Sequence, residues 1–173
     1  TNSAAPVATL TVGADDADGS YSGAIGGLVA LVKIGAGTQI LAGVCGSLAD
    51  TVIEGGTLAL VGNCSVASKK LLVKRGGTLE LSHAAVFGGS ASQTRLYAGI
   101  DTSTQGEQAK IKIPAGVTVT VLHFAIDGVF KTAGTWGATG SGADNIDDTV
   151  FTGGGMLTVL ETGPAGGTCL SVR

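Results

Sequence analysis

The stretch Gly55-Gly56-Thr57-Leu58-Ala59-Leu60 returns as Gly76-Gly77-Thr78-Leu79-Glu80-Leu81. It echoes as Gly37-Thr38-Gln39-Ile40-Leu41, Gly116-Val117-Thr118-Val119-Thr120-Val121 and Gly155-Met156-Leu157-Thr158-Val159-Leu160. The glycines 37, 56, 77, 116 and 155 are separated by 19, 21, 39 and 39 residues, which read as one, one, two and two turns of a unit of about twenty. A fixed period of that length, carrying short β runs and glycine turns, predicts an all-β solenoid whose stacked coils bury a core no single coil buries alone. The strands beginning at Thr38, Thr57 and Thr78 are expected to stack in parallel, with Ile40, Leu58 or Leu60, and Leu79 or Leu81 pointing into one core. A side-chain period of two sets the alternation but not which parity faces inward.

Hydrophobic residues make up 44% of the 173-residue chain, enough for a core within one domain. One Trp, two Tyr and four Phe make that core aliphatic, which suits stacked parallel strands. With 13% charged residues and a net charge of −3, the chain has neither a basic face for nucleic acid nor a polybasic membrane patch. The most apolar window, residues 25–49, is broken by Lys33, Gln39 and glycines, so no helical membrane span of about 18 residues is expected. Thr1-Asn2-Ser3-Ala4-Ala5-Pro6 reads as the start of a mature chain after processing.

Ala8-Thr9-Leu10-Thr11-Val12 alternates as a strand. The loop after it, Asp15-Asp16-Ala17-Asp18-Gly19-Ser20, holds a fragment of a calcium loop but lacks the terminal bidentate acid, and reads as an Asx-type turn.

Residues 18 to 62 carry a resemblance. Asp18-Gly19-Ser20-Tyr21-Ser22-Gly23-Ala24-Ile25-Gly26-Gly27-Leu28, Leu31-Val32-Lys33-Ile34-Gly35-Ala36-Gly37-Thr38, Leu41-Ala42-Gly43 and Gly55-Gly56-Thr57-Leu58-Ala59-Leu60 resemble the autotransporter-associated β-strand repeat. The chain departs from that pattern at Val44-Cys45-Gly46-Ser47-Leu48-Ala49-Asp50, where the family has an Asn- and Thr-rich turn. The resemblance implies a right-handed parallel β-helix in a secreted or surface-exposed protein, and no activity. Residues 121 to 160, with Ile126-Asp127-Gly128-Val129-Phe130, Ala133-Gly134-Thr135-Trp136-Gly137, Ser141-Gly142-Ala143 and Asp148-Thr149-Val150-Phe151, are similar to the closing segment of such repeat proteins. Trp136 stands where that pattern has Tyr. The expected organisation is one solenoid domain over 1–162, with 121–160 as a terminal cap and 163–173 as a tail strand. No membrane β-barrel follows, so the chain is not expected to be a whole autotransporter.

Cys45 lies eight residues after Gly37 and Cys64 eight after Gly56, so the two occupy the same place in successive coils. Coils about 4.8 Å apart are within reach of a disulfide. The reading is a Cys45 to Cys64 bridge, with two buried thiols as the alternative. Cys169 is left over, in a further strand motif too close to the preceding unit to continue it. Cys169, Leu170 and Val172 at one end, and Leu10 and Val12 at the other, are candidate intersubunit residues.

No catalytic constellation stands out. His83 and His123 sit beside no nucleophile motif. Lys69, Lys70, Lys74, Arg75 and Glu80 line one face as a solvated surface or, by fold analogy alone, a carbohydrate cleft. Asp144, Asp147 and Asp148 read as turn formers before calcium ligands. Asn63-Cys64-Ser65 is a formal glycosylation acceptor. No cofactor or metal is expected. The leading functional expectation is a non-enzymatic extracellular or cell-surface structural protein that assembles with itself, end to end, into a fibre, sheath or appendage. The alternative is a surface adhesin or glycan-binding module, for which Tyr21, Tyr97 and Trp136 are few and scattered. A polysaccharide-processing enzyme comes last.

Overall fold

The computed structural model describes residues 7–44, 48–88, 93–99 and 107–164, which are all-β with no α-helix among them. In chain order the strands are β1 (Ala8–Val12), β2 (Gly19–Tyr21), β3 (Val29–Lys33), β4 (Thr38–Leu41), β5 (Leu48–Ile53), β6 (Gly56–Leu60), β7 (Lys70–Val73), β8 (Gly77–Leu81) and β9 (Arg95–Ala98). They continue as β10 (Lys110–Lys112), β11 (Thr118–Val121), β12 (His123–Ile126), β13 (Val129–Phe130), β14 (Gly134–Gly137), β15 (Asn145–Ile146), β16 (Phe151–Thr152) and β17 (Met156–Val159).

The chain alternates between two ladders. One sheet runs β1-β3-β5-β7-β9-β12-β13 and the other β16-β10-β8-β6-β4-β2, while β11-β17-β14-β15 form a third. Pairing is parallel except between β12 and β13 and between β14 and β17. Thr38, Thr57 and Thr78 lie in register, as do Leu58 and Leu79, so the stacking expected from the repeat is present.

Two expectations need correction. Ile40 lies opposite Ala59, in the outward parity; the inward columns of this sheet are Gln39, Leu58, Leu79, Ile111 and Phe151, and Leu41, Leu60 and Leu81. An apolar residue at both positions 40 and 41 leaves the parity open in the sequence, and rung-to-rung register decides it. Secondly, the 39-residue steps are not two turns. Thr78 pairs directly with Lys110, 32 residues on, and Lys112 with Thr152, 40 residues on, so this ladder advances there by single long steps rather than by two short ones. The Gly116 and Gly155 echoes pair with each other, as β11 on β17, in the third sheet. The long step is hidden because β10 is only Lys-Ile-Lys, one inward residue between two charges.

The core is the stack of inward columns. Leu58, Leu60, Leu71, Val73, Leu79, Leu81, Leu96 and Ile111 are fully buried, which makes their aliphatic burial the main source of stability. Gly56 stands at φ 59, and a Cβ there would lie within 2.5 Å of the Gly35 carbonyl oxygen. Only glycine lets the corner of one rung approach the next so closely. Near the C-terminal end aromatics replace aliphatics: Phe124 meets Phe151 edge-on at 5.4 Å and Trp136 at 6.1 Å. There the ladder of β12 is taken up by the hairpin strand β13, through a turn with Asp127 at φ 47 and Gly128 at φ 78. Positive φ at both turn positions is the hairpin geometry that Asp-Gly favours.

Candidate functional site

Most charged side chains named above are engaged in rung-to-rung contacts. Lys74 meets Glu54 at 2.6 Å, Arg75 meets Asp127 at 2.8 Å across 52 residues, and Lys112 meets Glu80 at 3.2 Å. Asp127 also accepts from Gln108 Nε2 at 2.8 Å, so one carboxylate ties three segments. These exposed pairs align rungs and each contributes little to stability. They leave the basic face largely self-neutralised, a poor start for a carbohydrate-cleaving cleft.

The acidic loops are likewise occupied. Asp16 Oδ1 accepts the Ala36 amide at 2.7 Å and Asp18 Oδ1 the Thr38 amide at 2.6 Å, so this loop caps the corner of the next rung. Asp144 accepts from Thr135 Oγ1, and Asp147 from the hydroxyl and amide of Thr149. Asp148 accepts both the hydroxyl and the amide of Thr139, at 2.6 and 2.7 Å, and these bonds hold its pKa below the usual carboxylate value. Among the described residues no cluster of three His, Cys, Asp or Glu is placed to hold a metal ion.

His123 packs edge-on against Phe130, with Arg95 Nε 3.4 Å from its Nδ1 and Glu161 3.5 Å from its Nε2. His83 presents its carbonyl to the Val86 amide, and its buried Nε2 has no partner among the described residues. Neither histidine faces a nucleophile in these contacts. Cys64 is buried in the core beside Val66, while Cys45, Cys169, Leu170 and Val172 lie outside the described residues. Asn63 is exposed in a turn closed by the Cys64 amide on the Val61 carbonyl. The first residues past β17 fold back onto their own domain: Thr162 Oγ1 accepts the Ala133 amide, and Gly163 lies directly against the Phe130 ring.

Lys33 is the residue that sequence reasoning passed over. It continues an inward column, Val12-Lys33-Ile53-Val73-Ala98-Ile126, and is fully buried. Its Nζ donates to the carbonyls of Ile34, Gly35 and Gly55 at 2.6, 3.0 and 3.3 Å. Burial pushes its pKa down, while Asp16 and Asp18 pull it back up. The available signal was its place two residues after Leu31, in phase with the inward residues.

Two surfaces remain. Over the outer face of the seven-stranded sheet, Val52 and Leu72 floor a shallow cleft of about 150 Å³, walled by Asp50 and Lys70 on one side and Glu54 and Lys74 on the other. At the β1 and β2 end, Leu10, Val12, Tyr21, Ile25, Leu31 and Leu41 line an apolar groove of about 610 Å³. The inward column ends there in Gln39 and Gly19, where other rungs carry Leu58, Leu79, Ile111 and Phe151. Loss of side-chain volume along that column opens the groove.

The chain is similar to part of the adhesin BmaC autotransporter of Brucella suis biovar 1 (strain 1330), at 32% identity over 164 residues. The match takes in 91% of this chain and spans 4% of the length of that adhesin. It supports an autotransporter-related protein without singling out a repeat family. No family model matches the chain, and no solved structure matches it.

Proposed function

We propose that the chain is a β-solenoid segment of a cell-surface autotransporter passenger that serves adhesion, a non-enzymatic role. The observation that carries this is the similarity to an autotransporter adhesin along nine-tenths of the chain. The parallel ladders agree with it, since stacked rungs make an extended scaffold with long flat faces. The right-handed β-helix, a single domain over 1–162 with its cap at 121–160, and the extracellular or cell-surface location belong to the same proposal. Adhesion stands ahead of assembly into a fibre because the relative is an adhesin and no comparison points to a filament. The contact face we assign is the outer cleft over Val52 and Leu72, with surface glycans or proteins of another cell as partner.

The test is display of the chain on a non-adherent bacterium and measurement of attachment to host-type cells. Display is expected to raise attachment several-fold over the empty carrier, and Lys70→Glu with Lys74→Glu to reduce it. Folded, displayed chain that leaves attachment at the carrier level would overturn the adhesive reading.

A further inference from the structure

We propose that the outer cleft over Val52 and Leu72 takes one acidic sugar residue, its carboxylate held by Lys70 and Arg95 and its hydroxyls by Asp50. The inference deepens the adhesive reading, on whose contact face it rests, by naming the chemistry that face recognises.

The distribution of charge carries it. Most cationic side chains of the described residues are already engaged: Lys74, Arg75 and Lys112 in ion pairs, Lys33 and Lys110 on backbone carbonyls, and Lys131 over the Trp136 ring. Those without an acidic, carbonyl or aromatic partner among the described residues are Lys69, Lys70 and Arg95, on two neighbouring rungs. Lys70 and Arg95 stand directly opposite in the β7–β9 ladder and face outward, since Leu71 and Leu96 beside them are fully buried. Arg95 spends its Nε on His123 Nδ1, at 3.4 Å, and keeps its two terminal nitrogens for a planar acceptor. Like charges opposite one another across a ladder repel, and an anion between them removes that cost. A carboxylate matches the guanidinium fork in geometry as well as in sign.

The rest of the cleft selects what bears the carboxylate. Its two walls differ. Glu54 and Lys74 close one with a 2.6 Å ion pair, whereas Asp50 and Lys70, opposite each other in the β5–β7 ladder, form none among the described residues. Asp50 is exposed, and an ionised carboxylate only accepts hydrogen bonds, so its ligand must bring donors. The other acids near these cations have partners of their own: Glu161 lies 3.5 Å from His123 Nε2, and Asp127 pairs with Arg75. A sugar acid carries a carboxylate, neighbouring hydroxyls and an apolar C–H face on one ring, whereas an acidic peptide side chain lacks the hydroxyls. The C–H face fits the floor of Val52 and Leu72. At about 150 Å³ the cleft is smaller than the roughly 300 Å³ at which drug-sized pockets begin, and suits a single ring.

Isothermal titration of the 173-residue chain with trigalacturonate and with sialyllactose tests it, these being two sources of a carboxylated ring. Binding of at least one is expected, weakened at least tenfold when the sugar carboxyl is methyl-esterified. The ester leaves the protein unaltered, so this arm does not depend on any variant folding. Lys70→Gln and Arg95→Gln are each expected to weaken binding at least tenfold, and Lys112→Gln, on the other sheet, to leave it unchanged. Asp50→Ala separates a sugar from other anions. Loss of a hydroxyl acceptor is expected to weaken binding several-fold, whereas an anion that Asp50 merely repels would bind more tightly. The proposal is overturned if neither sugar binds, if the methyl ester binds equally well, if Asp50→Ala binds more tightly, or if tetraglutamate binds as well as the sugars. Displayed chain that adheres while neither sugar binds removes this inference alone. Sugar binding by a chain whose display leaves attachment at the carrier level removes the adhesive reading alone.

Discussion

The Lys33 ammonium lies 3.3 Å from the carbonyl oxygen of Gly55, 22 residues away, and joins the corners of two successive rungs. In the next two rungs the same inward position holds Ile53 and Val73, so the lysine is a feature of one rung only. Its methylene stem packs with the column while its head donates to three corner carbonyls.

Replacing it tests this directly. Lys33→Met keeps the stem and leaves three carbonyls without the ammonium, and is expected to lower stability by roughly 1–3 kcal/mol in urea unfolding. The pH dependence carries the opposite sign. Because burial depresses the folded-state pKa, the unfolded chain holds this proton more tightly in the window just below 10.5. Stability is therefore expected to rise with pH there, and the rise to be smaller in Lys33→Met. An unchanged pH slope in the variant would refute the assignment.

Thr78 and Leu79 are adjacent but face opposite ways, half-buried and fully buried. Leu79→Ala is expected to cost about 2–5 kcal/mol. Thr78→Ala is expected to cost less than about 1 kcal/mol, the span of strand preferences at such sites. Similar losses for both would mean the inward parity is wrongly assigned.

Asp148 gives a marker at acid pH. With its pKa held below 3.8 by Thr139, its contribution is fully present above that value and is lost as pH falls through the lower, folded-state value. Acid titration of Asp148→Asn is expected to show a shallower loss of stability in that window than the unaltered chain. Equal acid limbs would show that the Thr139 bonds do not distinguish folded from unfolded chain.

The equal offsets of Cys45 and Cys64 predict a disulfide closing a loop of about twenty residues, with a stabilisation of roughly 3 kcal/mol. Alkylation of denatured, unreduced protein followed by intact mass is expected to label Cys169 alone. Labelling of all three thiols would rule the bridge out.

The repeat made the parallel ladders legible because every strand–corner unit between Thr38 and Leu81 obeys the same local rule: glycine at the corner, threonine at the start, apolar residues at alternate positions. Residues alike in sequence are then alike in height, and Thr38, Thr57 and Thr78 fall in register. The adjacent Asp127-Gly128 pair was a local hairpin signal too, though it passed as part of a closing segment. The candidate surfaces were only partly legible: Leu10 and Val12 were singled out, but the groove they share with Tyr21, Ile25 and Leu41 was not.

Tertiary structure decided what local rules leave degenerate. Period two is satisfied by either parity, so Leu41 rather than Ile40 faces inward only because its rung pairs with Leu60. A lysine reads as solvent-facing until a neighbouring rung supplies carbonyls for its ammonium, as Gly55 does for Lys33. The long steps from Thr78 to Lys110 and from Lys112 to Thr152 belong to the same class. Length along the chain does not determine height in the stack once a loop leaves the ladder, and the pairing of backbone amides across rungs sets where it returns.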